Sequence, residues 1–324
     1  MFNLKTKPKT SQTINNPETK KDKISLSEII SELSIEKKEA EILTAFLLNK
    51  TRESLLSDPD IKTDNKFYKK IKDLEKKRLE NYPIAYLIGE KEFYGLSFKV
   101  NKDVLVPRPE TEMMVDKIID ILKNESNNFE GGSRALKGLF NDDYNSPVFI
   151  DVGTGSGAII ISLANEIKRL WPNDSANFKF YGTDISESAL KIAKKNAKLH
   201  NLNKIIKFLE GNLLNPVINK LNKKNLIIAA NLPYLTPMQI KKSPSISREP
   251  KIALVAGQDG LKYYKELFKQ LKNVSYKTLI LFCEIDPSQT KNINSLAKNN
   301  FPKAKLEIIK DLAGLDRFLK IAVL

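Results

Sequence analysis

The sequence predicts an α/β protein: a doubly wound, mostly parallel sheet of seven strands, preceded by a small helical domain and a β-hairpin linker. Three observations carry this prediction. From Val148 onwards, strand-like apolar runs alternate with helical stretches, as in a parallel sheet covered on both faces. Between Ser25 and Gly89, apolar residues recur instead at three- and four-residue steps, with Lys and Glu between them. The last two apolar runs are joined by only five residues, Leu312-Ala-Gly-Leu-Asp316, so the sheet ends in an antiparallel hairpin.

Taken in order, residues 1–23 are polar, Pro-containing and Lys-rich, a composition expected of a disordered basic tail. Residues 24–90 form the helical domain, with Ile29, Leu33, Ala40, Leu43, Leu47, Ile71 and Leu74 on its apolar faces. It is too short to be a catalytic unit by itself. In residues 91–107 the period changes: Phe98, Val100, Val104 and Val106 alternate around Asn101-Lys-Asp103, predicting a two-stranded ribbon. A helix follows over Glu110–Lys123, and the polar, aperiodic stretch 124–147 reads as a loop or insertion. Strands are expected at 148–153, 178–185, 205–211, 225–234, 278–285, 305–311 and 317–324, all in one domain spanning 108–324.

Composition narrows the function classes. A 41% hydrophobic and 29% charged chain is that of a soluble globular protein, and no apolar run approaches a membrane span or a secretory signal. One cysteine cannot form an internal disulfide, and one histidine gives no zinc cluster. A cytoplasmic protein without a metal or a membrane partner is the expectation. The net charge of +15 suits an anionic partner, but the lysines are scattered along most of the chain, as a generally basic composition would also leave them.

The first chemical signal is Asp151-Val-Gly-Thr-Gly-Ser-Gly157, between a strand and a helix. Glycine there permits a sharp turn and close approach of a ligand to the main chain. The dinucleotide pattern wants glycine at its first, third and sixth positions; here they fall at 153, 155 and 157, with Ala158 at the sixth. Asp151 would repel a pyrophosphate but would pair with an amine such as that of S-adenosylmethionine. Gly153, Thr154, Gly155 and Gly157 are therefore read as the cofactor loop, although a ligand-free tight turn uses the same residues. Asp184 ends the second strand, where a carboxylate accepts hydrogen bonds from a ribose diol, the reading the upstream glycine loop favours; the other reading is the N-cap of the helix over Ser186–Leu199. Asn212, after the third strand, is placed where an adenine would lie, or is simply a loop residue.

The second signal is Asn231-Leu-Pro-Tyr234, after the fourth strand. In a sheet whose strand order reverses between its first and fourth strands, both loops open into one crevice. An amide nitrogen is a poor nucleophile because its lone pair is delocalised. The Asn231 side-chain oxygen and the Leu232 carbonyl can accept its two N–H groups, Tyr234 can stack on a flat group, and Pro233 stiffens the turn. Elsewhere, His200 reads as a helix-end residue, Cys283 as a buried thiol and Trp171 as an anchor for a helix terminus. Glu284, closing the fifth strand, reads as functional, capping or exposed.

With these residues placed, the chain resembles the release-factor glutamine methyltransferase family from about Pro83 to its end. The discriminating stretches are Pro83-Ile-Ala-Tyr-Leu-Ile-Gly89, Glu92-Phe-Tyr-Gly95, Val106-Pro-Arg-Pro-Glu-Thr-Glu112, Glu249-Pro250 and Lys310-Asp-Leu-Ala-Gly-Leu-Asp-Arg317. The resemblance implies a class I methyltransferase fold, S-adenosyl-L-methionine as cofactor, and a helical domain that helps bind a peptide chain release factor. It implies methylation of the glutamine amide in the Gly-Gly-Gln loop, with Asn231 holding that amide and Arg108, Glu110 and Glu112 lining the site. Leu232 stands where that family usually has proline; this variant is also typical of enzymes that methylate the exocyclic amine of adenine. Adenine methylation in RNA or DNA, with direct nucleic-acid binding, is thus the alternative.

Overall fold

The computed structural model describes residues 24–58, 61–127, 147–173 and 175–324. The expected tail at 1–23, and 128–146 of the expected insertion, lie outside the described residues. Two compact units divide between Leu79 and Glu80.

In the first unit, Ile24–Ser25 (β1) pairs antiparallel with Lys62–Thr63 (β2) beside helices Leu26–Glu32 (α1), Lys37–Leu48 (α2), Arg52–Ser57 (α3) and Asn65–Leu79 (α4). Ser25 and Glu28 close a reciprocal capping box that starts α1. The predicted periodicity is realised as a small core in which Ile29, Leu43 and Ile71 are fully buried. Ion pairs Arg52–Glu41 (2.6 Å) and Arg78–Glu39 (2.8 Å) lace α2 to α3 and α4.

The second unit opens with Ile84–Ile88 (α5) and the antiparallel hairpin Glu90–Phe93 (β3) and Leu96–Lys99 (β4). The hairpin turns at Tyr94-Gly95, both with positive φ (52° and 69°), and not around Asn101-Lys102-Asp103 as expected. A two-residue turn of this hand matches the twist of the flanking strands. Asn101 instead makes a local turn, its Oδ1 accepting from the Asp103 amide (2.9 Å), so Val104–Val106 leaves the ribbon. Val100, Val104 and Val106 pack with Ala85 of α5 and with Ala189 and Ile192, which ties α5 to this unit.

The helix Glu112–Asn127 (α6) runs four residues beyond the expected Lys123. Then come Val148–Val152 (β5), Ala158–Leu170 (α7), Lys179–Asp184 (β6), Glu187–Leu199 (α8), Ile206–Glu210 (β7), Asn225–Ala230 (β8), Pro237–Lys241 (α9), Lys262–Lys272 (α10), Thr278–Glu284 (β9), Thr290–Asn300 (α11), Lys305–Lys310 (β10) and Asp316–Val323 (β11). The seven-stranded sheet has the order β10-β11-β9-β8-β5-β6-β7. All neighbours are parallel except β11, which runs antiparallel to β9 and β10, as the short final connection predicts.

Side-chain alternation gives each face of the sheet its own core. Val148, Ile150, Leu226, Ile228, Leu279, Leu281 and Cys283 join Tyr264, Phe268 and Ile293 on one side. Phe149, Ile227, Ala229, Ile280 and Phe282 join α6 and α7 on the other. Strand order reverses between β5 and β8, which brings the loops after these strands together at the carboxyl edge.

Candidate functional site

The loop after β5 is shaped by its glycines and by the end of β6. Gly153, Gly155 and Gly157 have φ of 73°, 54° and 82°, a region that penalises side-chain-bearing residues. The amides of Gly153 and Thr154 both donate to the Thr183 carbonyl (2.8 and 2.9 Å), and the Gly155 amide donates to Asp184 Oδ2 (2.8 Å). Gly153 and Gly155 line a cleft of about 780 Å³, counted to its open mouth, with Asp184, Ser186, Gly211, Asn212 and Leu213.

Asp151, Thr154 and Gly157 do not line the cleft. Gly157 is a packing glycine: a Cβ there would meet Ile161 Cδ1 at 2.8 Å and Ala193 Cβ at 3.3 Å, so its absence lets α7 and α8 approach. Asp151 is buried beneath the loop, where Oδ2 accepts from the Thr154 hydroxyl (2.6 Å) and Oδ1 has no partner among the described residues. Burial pushes its carboxyl up to about 7.

Asp184 also accepts from the Ser186 amide through Oδ1 (2.9 Å), and it is Ser186 that caps α8. The helix-cap alternative therefore belongs to its neighbour. Burial raises the Asp184 carboxyl above its ordinary range, against the pull of these amides. The Asn212 side chain donates to Glu266 of α10, so that amide is already committed to the protein. Ile185 and Tyr263 also line the cleft and carried no signal in the sequence beyond being apolar beside it.

Asn231, Leu232 and Pro233 form the opposite end of this cleft and also a wall of a second cavity, with Arg108, Tyr234, Leu235 and Ile246. The two cavities meet at the tetrapeptide. Leu232 is buried against the glycine loop, its Cδ2 only 3.0 Å from where a Cβ of Gly153 would stand. Behind Asn231 lies a polar network. Asn231 Nδ2 donates to Thr111 Oγ1 (3.1 Å), Thr111 donates to Glu284 Oε2 (2.6 Å), and the Tyr234 hydroxyl reaches Glu284 Oε1 (3.3 Å). Glu284 is 1% exposed, and burial pushes its carboxyl up to about 7, opposed by these hydrogen bonds and by nearby Arg317. Of the three readings of Glu284, exposure and capping are overturned. Burial likewise raises the Tyr234 phenol, next to the Glu284 charge.

The 108–112 stretch divides. Arg108 lines the second cavity and pairs with Glu249 (2.5 Å), whose other oxygen accepts from the Val106 amide (3.0 Å). Glu110 is exposed and lines neither cavity. Glu112 faces the hairpin, where Oε1 accepts from the Tyr94 amide (3.0 Å) and pins the left-handed turn; it is not brought to the site. Thr111, between them, is the residue that reaches Asn231. Sequence reasoning placed Thr111 only within the 108–112 stretch and gave no role to Glu249, although both lie in stretches it singled out. Their partners are more than 100 positions away (120 from Thr111 to Asn231, 141 from Glu249 to Arg108), beyond any local pattern.

Other placements agree with the sequence. Cys283 is buried in β9, Trp171 is the C-cap of α7, and His200 is the C-cap of α8 with a ring nitrogen 2.8 Å from the Ser97 carbonyl. No helix among the described residues is long and apolar enough to cross a membrane.

Comparison with known proteins converges on one family. A family profile described as "Methyltransferase domain" matches residues 145–313, and one described as "PrmC N-terminal domain" matches residues 26–89. A protein of Bacillus cereus named release factor glutamine methyltransferase is 34% identical, over 90% of this chain and 95% of its own length. Proteins of the same name from Bacillus subtilis and Thermodesulfovibrio yellowstonii are 33% and 32% identical, covering 90% and 91% of this chain and 93% and 95% of theirs. Among solved structures, the hMettl16 catalytic domain in complex with a MAT2A 3'UTR hairpin shares the fold at TM-score 0.50 and 14% identity, covering 81% of this chain and 84% of that one. With the fold, both domain profiles and full-length relatives in agreement, this chain belongs to the release factor glutamine methyltransferase family.

Proposed function

We propose that this protein transfers the methyl group of S-adenosylmethionine to the side-chain amide nitrogen of the glutamine in the Gly-Gly-Gln loop of a peptide chain release factor. The observation that carries the reading is the wall shared by two cavities: Asn231, Leu232 and Pro233 face both the glycine-loop cleft and the pocket containing Arg108 and Tyr234. A donor in one and an acceptor in the other would meet there. The names of the relatives support the acceptor assignment.

The donor fits its cleft on four counts. The Gly155 backbone is open to close approach, with nothing within 4 Å of where a Cβ would stand. A carboxylate has about four lone-pair sites, and the amides around Asp184 do not take them all, which leaves acceptor capacity for a ribose hydroxyl. Asp151 Oδ1 is a buried acceptor without a partner, suited to an amine reached directly or through water. Ile185 and Leu213 offer apolar surface in the same cleft as Asn212, as a flat base requires. The sulfonium supplies an electrophilic methyl.

The chain's own work is on the acceptor. Asn231 Oδ1 and the Leu232 carbonyl accept the two N–H groups of the substrate amide, which fixes the nitrogen and draws its lone pair out of conjugation. The Tyr234 ring flanks the amide plane and Pro233 restricts the loop. Holding both reactants in line can supply on the order of 7–11 kcal/mol in the best intramolecular cases. No base need act first, because the nitrogen sheds its proton after transfer.

The test is transfer of labelled methyl from S-adenosylmethionine to a release factor, to its Gln→Ala loop variant and to ribosomal RNA. Label on the intact factor alone is expected. Equal labelling of both factor proteins, or label on RNA only, overturns the proposal.

A further inference from the structure

A primary carboxamide can sit in either of two orientations about its last torsion, and only one serves the reaction proposed above. With its oxygen towards the substrate, Asn231 accepts an N–H; flipped, it presents a donor to a donor. The side chain does not decide this, since its O and N arms are nearly the same shape. The decision falls to whatever holds the far arm.

That arm is Nδ2, and it points at Thr111 Oγ1 (3.1 Å). A hydroxyl has one proton to give. Thr111 gives its proton to Glu284 Oε2 at 2.6 Å, so the oxygen turns a lone pair towards Asn231 and can only accept there. Glu284, when ionised, is an acceptor only, and it takes the Tyr234 hydroxyl on its other oxygen (3.3 Å). Every donor in the row Asn231–Thr111–Glu284 thus faces the same way. Thr111 and Glu284 are 3% and 1% exposed, so the row is shielded from bulk solvent.

The groups that face this carboxylate pull its charge in both directions. Arg317 acts on it as a cation and is itself held by Asp311 through two hydrogen bonds (3.0 and 2.9 Å). Tyr234 donates to it and Glu110 opposes it from the loop before α6. From α10, the Tyr264 hydroxyl donates to the backbone carbonyl of the same residue. Arg108 lies near enough to Tyr234 to lower its phenol.

We propose that Thr111 and Glu284 are positioning residues that set the orientation of the Asn231 carboxamide, and so determine that the site offers an acceptor to the substrate nitrogen. The inference rests on Asn231 being the acceptor-holding residue, but not on which molecule carries the nitrogen, because an exocyclic amine also presents N–H groups. Protonating Glu284 removes the constraint: a carboxylic acid can donate to Thr111, whose proton then turns to Asn231 and favours the flipped amide. Burial pushes that carboxyl up to about 7, so the reversal falls within an accessible pH range.

The experiment uses the full-length chain and whichever acceptor the wild type labels, release factor or RNA. Thr111→Val is expected to lower kcat about 10- to 100-fold with the donor Kd within about twofold of wild type, and Thr111→Ser to restore most of the loss. Glu284→Gln, which keeps the shape, is expected to flatten the acid limb of the kcat pH profile. A readout without turnover is the pair of Asn231 side-chain NH2 signals in ¹⁵N NMR, identified by their loss in Asn231→Ala. They are expected to move between about pH 5 and about pH 9 and to stop moving in Glu284→Gln. A Thr111→Val enzyme with unchanged kcat, or Asn231 signals indifferent to pH and to Glu284→Gln, overturns the positioning role. Label on RNA with the Thr111→Val loss intact would overturn the release-factor reading alone.

Discussion

The two ends of the cleft are built from different materials. The donor end is mostly backbone: three residues at positive φ between 153 and 157, with amides of Gly153, Thr154 and Gly155 tied to Thr183 and Asp184 at the end of the adjoining strand. Its carboxylates, Asp151 and Asp184, are held largely by hydroxyl and amide donors from the loop and the next helix. The acceptor end is mostly side chain. Asn231, Thr111, Tyr234, Glu284, Arg108 and Glu249 come from four separate stretches of the chain and hold one another through side-chain hydrogen bonds and one ion pair. A backbone-built wall is sensitive to added volume and to φ; a side-chain-built wall is sensitive to polarity.

The sharpest way to break the comparison is Asn231→Ala. Methyl transfer should fall by about 100-fold or more while donor affinity stays close to wild type, as calorimetry and steady-state rates would show. An equal loss in both would mean that the two ends are one site in energetic terms.

Gly153→Ala attacks the other end. It adds a Cβ 3.0 Å from Leu232 Cδ2 at a φ of 73°. A left-handed residue costs roughly 1–2 kcal/mol, so donor affinity should weaken about tenfold or somewhat more, with the acceptor KM little changed.

Acidity tests both ends at once. Asp151 and Glu284 have ordinary values of 3.8 and 4.5 but stand at about 7 in the fold, because burial disfavours their charged forms. Their folded forms bind protons more tightly than the unfolded chain does. The stability they contribute is therefore fullest below the unfolded values and is lost as pH rises towards about 7. The slope is on the order of 1 kcal/mol per pH unit per group within that window. Denaturant melts of the wild type against an Asp151→Asn, Glu284→Gln double variant should differ in pH dependence between about pH 4 and about pH 7, and run parallel above it. Parallel curves throughout would show that neither carboxyl is perturbed.

The smallest effect is expected at Glu112→Gln. Glu112 pins the Tyr94 amide and lies away from both cavities, so stability should drop by about 1 kcal/mol or less with kcat unchanged. A large loss of activity would return Glu112 to the site.

The difference in construction also explains what could be read in advance. The glycine loop, the acid closing β6 and the tetrapeptide after β8 are contiguous motifs placed at strand ends, and period alone located the strands that carry them. The hairpin turn was misplaced because Tyr94 is a side-chain-bearing residue at a φ of 52°, an uncommon choice that the apolar alternation further along outweighed. The resemblance carries the stretch from Arg108 to Glu112 to the site as one string; helix geometry turns Thr111 towards Glu284 and Glu112 towards the hairpin. Glu284 could not be resolved from its neighbours, since a carboxylate at a strand end reads alike whether it is solvated or sealed.

By itself the sequence determined the order of elements, the antiparallel end of the sheet, the left-handed glycine loop and the presence of Asn231 at the switch point. These follow from period, from turn chemistry and from steric limits on φ, all of which act within a few residues. Only the tertiary structure decided that Thr111 and Glu284 stand behind Asn231, that Glu249 clasps Arg108, and that Asp151 keeps a buried oxygen without a partner. Those facts depend on which strands and loops become neighbours across the sheet, and on the dry interior they create, where a hydrogen bond or its absence acquires its weight.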